Sequence, residues 1–266
     1  MPPTRLIPAA LLAVLALVAP AGPARADAIA TAWRDLQAGV NRADVALMER
    51  ARGTFEALSL ADAASADLHA CVALADWRMA PVLSRADATR KKSRPFVEDG
   101  LAQCDAALKL DPKHAEALAL KASLQGLMMG FEPAAVMQLG PASDANLKRA
   151  LELAPADPRV WLLQGIMTLN RPAFFGGGAD KAMPEFRKAV ELFAARPADT
   201  SAATWGRDDA LLWAGRAATQ LKQADVAREY YRQALKVNPS NGWAHRLLAD
   251  LEPGAAAGTP TRKDTP

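Results

Sequence analysis

The chain has little of what catalytic, metal-binding or disulfide-rich proteins need. Of its 266 residues two are cysteine, three histidine and two tyrosine, and aromatic residues make up 6%. Cys71 and Cys104 are too few to staple a fold and lack the spacing of a metal site. In an oxidising compartment they pair with each other, or they sit as two small buried apolar residues; both readings stay open. His69, His114 and His245 lie on separate segments far apart along the chain, so no pair of them is a candidate ligand set or catalytic couple. No G-x-S-x-G, H-E-x-x-H or Cys-His arrangement occurs. Catalytic residues, a metal and a cofactor are therefore not expected.

A run long enough to cross a bilayer is also missing. Leu6 to Pro20 is apolar but falls short of the ~18 residues of a spanning helix. Placed after the basic MPPTR and before Ala24-Arg25-Ala26, it reads as a signal peptide cleaved after Ala26. The mature chain from Asp27 is expected to be soluble and exported, periplasmic or secreted, and not membrane-spanning. No cysteine precedes Cys71, so a lipid anchor is not expected either. Losing Arg5 and Arg25 lowers the formal net charge from +3 to +1. With no basic run carrying interleaved aromatics, nucleic acid is not expected as a partner.

Alternating β-branched patterns are scarce, whereas Ala and Leu recur at helical spacing through most of the mature chain, which predicts an all-α fold. Self-similarity is then the next test for a helical chain of this length. ALKLDP (Ala107 to Pro112), ALELAP (Ala150 to Pro155) and ALKVNP (Ala234 to Pro239) repeat one pattern, with a degenerate copy, AVELFA, at Ala189 to Ala194. Each follows a small and a larger residue in fixed register: Gly100 and Cys104, Ser143 and Leu147, Ala182 and Phe186, Ala227 and Tyr231. Offsets of three and four put them on one helical stripe. A small residue lets two helices cross closely, a large one fills the gap beside it, and the proline cannot continue the helix.

GRDDALLWAGRAATQLKQADVAREYYRQALKVNP, Gly206 to Pro239, resembles a tetratricopeptide repeat (TPR), with Gly215, Ala227, Tyr231, Ala234 and Pro239 at consensus positions. The same register puts Trp161 and Gly165 after Pro155, and Leu118 and Ala122 after Pro112, where the family has its first-helix signature. The interval between the closing alanines exceeds the family's ~34 residues. The excess falls in Phe131 to Ser143, Asn170 to Asp180 and Ala194 to Trp205, which read as inserted loops. Ala66 to Met79 and Pro95 to Leu108 read as another pair separated by a basic loop, an earlier pair lies upstream, and Asn241 to Leu251 reads as a cap. The expectation is a TPR-like α-solenoid of about five helix pairs plus a C-terminal capping helix. It spans residues 27–252, between a signal peptide (1–26) and a disordered tail (253–266).

The loop NRPAFFGGGAD invites a phosphate-binding reading, but no strand precedes its glycines and no Lys-Ser/Thr follows them. Gly176, Gly177 and Gly178 instead read as the hinge of an enlarged turn, with Asp180 as the N-cap of the next helix. Phe174 and Phe175 dock on the adjacent helix pair or form an apolar lip for a ligand or partner. The proline and aromatics before paired glycines also resemble the periplasmic TPR proteins associated with TRAP-type solute transporters.

The TPR resemblance implies a concave groove lined by first helices. In this register the groove positions include Trp77, Arg78, Leu162, Ile166, Asn170, Leu212, Arg216 and Gln220. Their mixture of apolar and polar groups suits an extended protein or peptide partner. The family's carboxylate clamp is not implied, because Ala119, Leu162 and Leu212 stand where its lysines would be. The function expected is a non-catalytic interaction scaffold. The alternative is an accessory of a solute-uptake system that binds a small apolar ligand or a substrate-binding protein.

Overall fold

Small residues at the crossing positions decide how closely the helices pair, and pairs of helices are what the chain builds. The computed structural model describes residues 22–87, 90–196 and 205–252. The expected signal segment up to residue 21 and the tail after residue 252 lie outside the described residues, as does most of the insertion between Ala194 and Trp205. Five antiparallel pairs follow in order: α1 (Pro23–Arg42) with α2 (Val45–Ala61), α3 (Ala66–Ala86) with α4 (Arg94–Leu110), and α5 (Ala115–Phe131) with α6 (Val136–Leu153). Then come α7 (Pro158–Asn170) with α8 (Ala179–Ala195), α9 (Arg207–Gln220) with α10 (Ala224–Val237), and the single α11 (Gly242–Ala249). No strand occurs among the described residues, and the architecture is the all-α solenoid that the repeat pattern predicts.

The crossing rule is visible in the packing. A β-carbon added to Gly165 on α7 would lie 2.5 Å from the Phe186 ring on α8, and Ser143 on α6 donates its hydroxyl to the Ala122 carbonyl on α5 at 3.2 Å. Phe55, Phe186 and Tyr231, the large residues of three pairs, are almost wholly removed from water. Each contributes roughly 1.5–3 kcal/mol by burial. Helix starts are specified locally by side chains that accept the first free N–H groups: Asp44, Ser65, His114, Asp157 and Asn241 each do so. All three histidines are used structurally, His69 against Gln103, His114 as a cap and His245 against the Pro239 carbonyl.

Three local expectations need correction. The insertion Phe131 to Ser143 is not a loop: after a 3-10 turn at Pro133–Ala135 it runs as the first two turns of α6. Val, Met, Gln and Leu there are compatible with a helix, and Pro141 lies inside it, where it removes one backbone hydrogen bond that the packed helix tolerates. In the same way α3 does not stop at Met79 but continues through Pro81 to Ala86. Finally, Asp180 is not the N-cap of α8; Gly178, with φ of 123°, holds that place and Asp180 lies in the first turn. Gly176 and Gly178 have positive φ, and a side chain on Gly177 would collide with the Arg171 backbone.

Successive pairs stack so that α3, α5, α7 and α9 face one another on the inside. The array curls until its ends meet. Asn41 at the end of α1 and Asn238 before α11 exchange amide hydrogen bonds of 3.4 and 2.9 Å, and α11 abuts α1 at Gly242, which packs on the Asn41 carbonyl.

Candidate functional site

The curl decides which inner residues stay accessible. Of the eight groove positions, Trp77, Leu162, Ile166 and Leu212 are buried, so the open groove that the resemblance implies is not formed at these residues. The reason is a contact across the interior: Arg78 on α3 grips Asp209 on α9 through both oxygens, one at 2.8 Å. Arg78 lies 5.0 Å from the centre of the Trp77 ring and 5.1 Å from that of Trp205. On its other side Trp205 meets Arg159 at 5.2 Å, and its indole N–H donates to Glu116 at 3.2 Å. Burial pushes the Glu116 carboxyl above its ordinary value, while Arg159 at 3.4 Å opposes the rise. Asp208 is raised by burial and by its neighbour Asp209, and accepts from Asn238 at 2.7 Å and Asn241 at 3.0 Å. This end of the interior is therefore a latch, with its ionic groups satisfied by one another.

The other end, where the inner helices finish, is different. Asn170 and Gln220 are exposed there and Arg216 is half-buried. Arg216 stacks on Trp213 at 4.1 Å and on Trp243 of α11 at 4.8 Å, and Arg85 in the last turn of α3 stacks on the same Trp243 at 4.6 Å. The two indoles meet edge to face at 5.6 Å. Burial lowers the pKa of Arg216, and Arg85 lowers it further; Arg85 is lowered by burial and by Arg246. Sequence reasoning found Arg216 but missed Trp213, Trp243, Arg85 and Arg246. Ending α3 at Met79 hid Arg85, and treating α11 as a mere cap hid Trp243 and Arg246.

The same rim carries the glycine turn that follows α7. A 3-10 turn, Ala173–Phe175, sets the Phe174 and Phe175 rings 4.3 Å apart and leaves them 81% and 54% exposed. Both rings stand largely in water. A depression of about 340 Å³ is lined by Arg90, Lys91, Arg94, Gly130 and Phe131. Its arginines are already engaged, Arg90 with the Gly130 carbonyl at 2.7 Å and Arg94 with Glu98 and Glu132.

Cys71 and Cys104 are not bonded to each other, and burial pushes both thiols far above their ordinary pKa. Away from the rim, Arg52 serves three carboxylates, Glu56, Asp76 and Asp99. Asp76 is fully buried between α3, α4 and α5, and burial pushes its carboxyl up to about 8, against the pull of Arg52. Arg52 is shared among three carboxylates, so its pull on Asp76 does not offset burial. The cluster lies between packed helices and serves the core. Among the described residues no group of His, Cys, Asp and Glu could hold a metal ion, and no helix is long and apolar enough to cross a membrane.

Residues 208–251 match the family model described as Tetratricopeptide repeat. No curated protein matches the chain. Among solved structures, the HusA haemophore from Porphyromonas gingivalis is 22% identical with a TM-score of 0.60, over 75% of this chain and 96% of that one. A thermophilic TPR protein from Thermus thermophilus is 14% identical with a TM-score of 0.58, over 83% and 98%. At these identities the likeness is one of fold.

Proposed function

From a chain whose residues 208–251 are a tetratricopeptide repeat, set in a solenoid of the same hairpins, we infer an exported, non-catalytic interaction scaffold. TPR folds serve as protein-interaction scaffolds, and the finer reading concerns where a partner sits. It sits on the rim where the inner helices end, against Phe174, Phe175, Asn170, Arg216 and Gln220, rather than along the whole concave face. The observation that carries this is the Phe174–Phe175 pair, two large apolar rings held in water by a turn whose glycines are needed for its shape. A pair of exposed aromatic rings is the kind of apolar surface that marks an interaction site.

The test is site-specific photo-crosslinking in cells that produce the chain, with p-benzoylphenylalanine at Phe174 or Gln220 and, as control, at the outward Glu229 of α10. Discrete adducts from the rim positions alone support the reading. Adducts from Glu229 alone, or from none of the three, remove it. Export is checked separately by N-terminal sequencing of the extracytoplasmic fraction, where a mature start at Asp27 is expected.

A second reading, a carrier of a small apolar ligand within an uptake system, draws on the likeness to a haemophore and on the two indoles beside Arg216. It predicts that haemin added to the chain shifts its absorption band and quenches tryptophan emission. An unchanged spectrum at micromolar protein removes it.

A further inference from the structure

Arg216 stands apart from every comparable residue in the fold. Each of the other half-buried arginines among the described residues has a carboxylate partner, from Arg25 with Asp62 through Arg78 with Asp209 to Arg228 with Asp225. Arg216 has none. Nor, among those residues, has Arg85, whose charge bears on Arg216, or Arg246, whose charge bears on Arg85. The acidic groups that approach this rim are engaged or remote. Glu252 pairs with Arg232 at 3.8 Å, and Asp250 is felt by Tyr231 but makes no ion pair with Arg216.

A guanidinium taken partly out of water without an anion is unfavourable, and a second and third cation beside it make it more so. What holds these groups here is the indole surface. Arg85 and Arg216 both lie within 5 Å of Trp243, and stacking of this kind leaves the N–H edges of the guanidinium unspent. Two forks, each suited to a pair of oxygens, are thus presented over an apolar floor. The three cations come from α3, α9 and α11, and Arg85 and Arg246 are open to solvent, so the surface is wider than one small anion and is not an enclosed cavity.

We propose that Arg216, Arg85 and Arg246, over Trp213 and Trp243, form an oxoanion-binding surface whose occupant is an acidic peptide segment of a partner protein. Side-chain carboxylates engage the guanidinium edges, and an apolar side chain between them lies against the half-buried Trp243, which the buried Trp213 supports from beneath. This rests on the scaffold reading above and names the chemistry of the partner. It also explains why the fold leaves one half-buried arginine unneutralised while it neutralises the rest: the missing carboxylate comes with the partner.

The experiment uses the mature chain and a fluorescein-labelled, C-terminally amidated peptide of alternating glutamate and leucine, followed by anisotropy. Its counterpart has glutamine for glutamate, and inorganic phosphate is titrated as a competitor. The glutamate peptide is expected to bind at least tenfold more tightly than the glutamine peptide, and to weaken as salt rises from about 50 to about 300 mM. Arg216→Gln should lower its affinity by about tenfold. The combined Arg85→Gln, Arg246→Gln variant should do the same, and because those two side chains are exposed it tests the site without disturbing packing. Equal binding of the two peptides, or unchanged affinity in both variants, overturns the proposal. Binding of phosphate with no binding of the acidic peptide overturns the peptide as occupant. Adducts from Gln220 that persist in Arg216→Gln remove this surface and leave the scaffold reading standing, whereas peptide binding intact with no adducts from either rim position removes the rim reading and leaves this surface.

Discussion

Gly215 on α9 and Tyr231 on α10 touch so closely that a β-carbon on the glycine would overlap the phenol ring. The Tyr231 hydroxyl reaches Thr219 at 3.0 Å, and burial raises its pKa. This contact is the most sensitive point of the C-terminal repeat. Gly215→Ala is expected to destabilise by about 1–3 kcal/mol through overpacking, and Tyr231→Ala by about 3–5 kcal/mol through the cavity it leaves. Urea unfolding followed by tryptophan emission measures both, and a Gly215→Ala variant as stable as the parent would show that the helices can part at no cost.

Arg78 and Asp209 close the interior from opposite sides, both largely buried. Asp209→Asn leaves the guanidinium without its charge partner and should cost about 3–5 kcal/mol. Replacing both, as Arg78→Met with Asp209→Leu, should recover most of that loss. If the single variant loses less than about 1 kcal/mol by the same urea measurement, water reaches the pair and the interior is not closed there.

Asp76 gives stability an unusual dependence on pH. Its carboxyl is raised to about 8 in the folded protein and returns to about 3.9 when unfolded. Between those values the folded state binds the extra proton, so this group's contribution is fully present below about pH 4 and is lost as pH rises towards 8. The slope it adds is at most about 1.4 kcal/mol per pH unit. Glu116, Glu185 and Asp208 are raised too and act in the same direction, so the test is a difference: Asp76→Asn should flatten the fall in stability between about pH 5 and about pH 8. Parallel curves for parent and variant would mean that Asp76 is ionised beside Arg52.

The thiols should remain separate in the folded protein. Cys104 is wholly buried, and burial suppresses the reactive thiolate of both cysteines. Intact mass after alkylation of the native protein is expected to show Cys104 unmodified, and alkylation in denaturant to add two groups. A denatured protein that takes up none would reveal a disulfide between them.

The repeat pattern made the helices legible because it encodes their crossings directly: Gly165 must face Phe186, and Gly215 must face Tyr231, for the pairs to pack at all. Which inner residues a partner can reach is another kind of property. It depends on how far the array curls, and the curl is set by contacts such as Asn41 with Asn238, 197 positions apart. No local window contains both. The same limit applies to Leu162 and Leu212, which occupy inner positions by register yet are buried. Arg216 was legible as an inner residue, but its want of a partner was not, because that follows from where every carboxylate on other helices ends up. Asp180 failed for a simpler reason: rules for caps assume average surroundings, and here Gly178 supplies the turn.

The meeting of α11 with α1 changes how such a molecule comes apart. An open array of hairpins has only neighbour-to-neighbour contacts and frays from either end, one unit at a time. Here the two ends brace each other, through Asn41, Asn238, Asn241 and Asp208, so neither is a free end from which to begin. Loosening the last helix unseats the first, and the chain melts as one body rather than as a row of repeats.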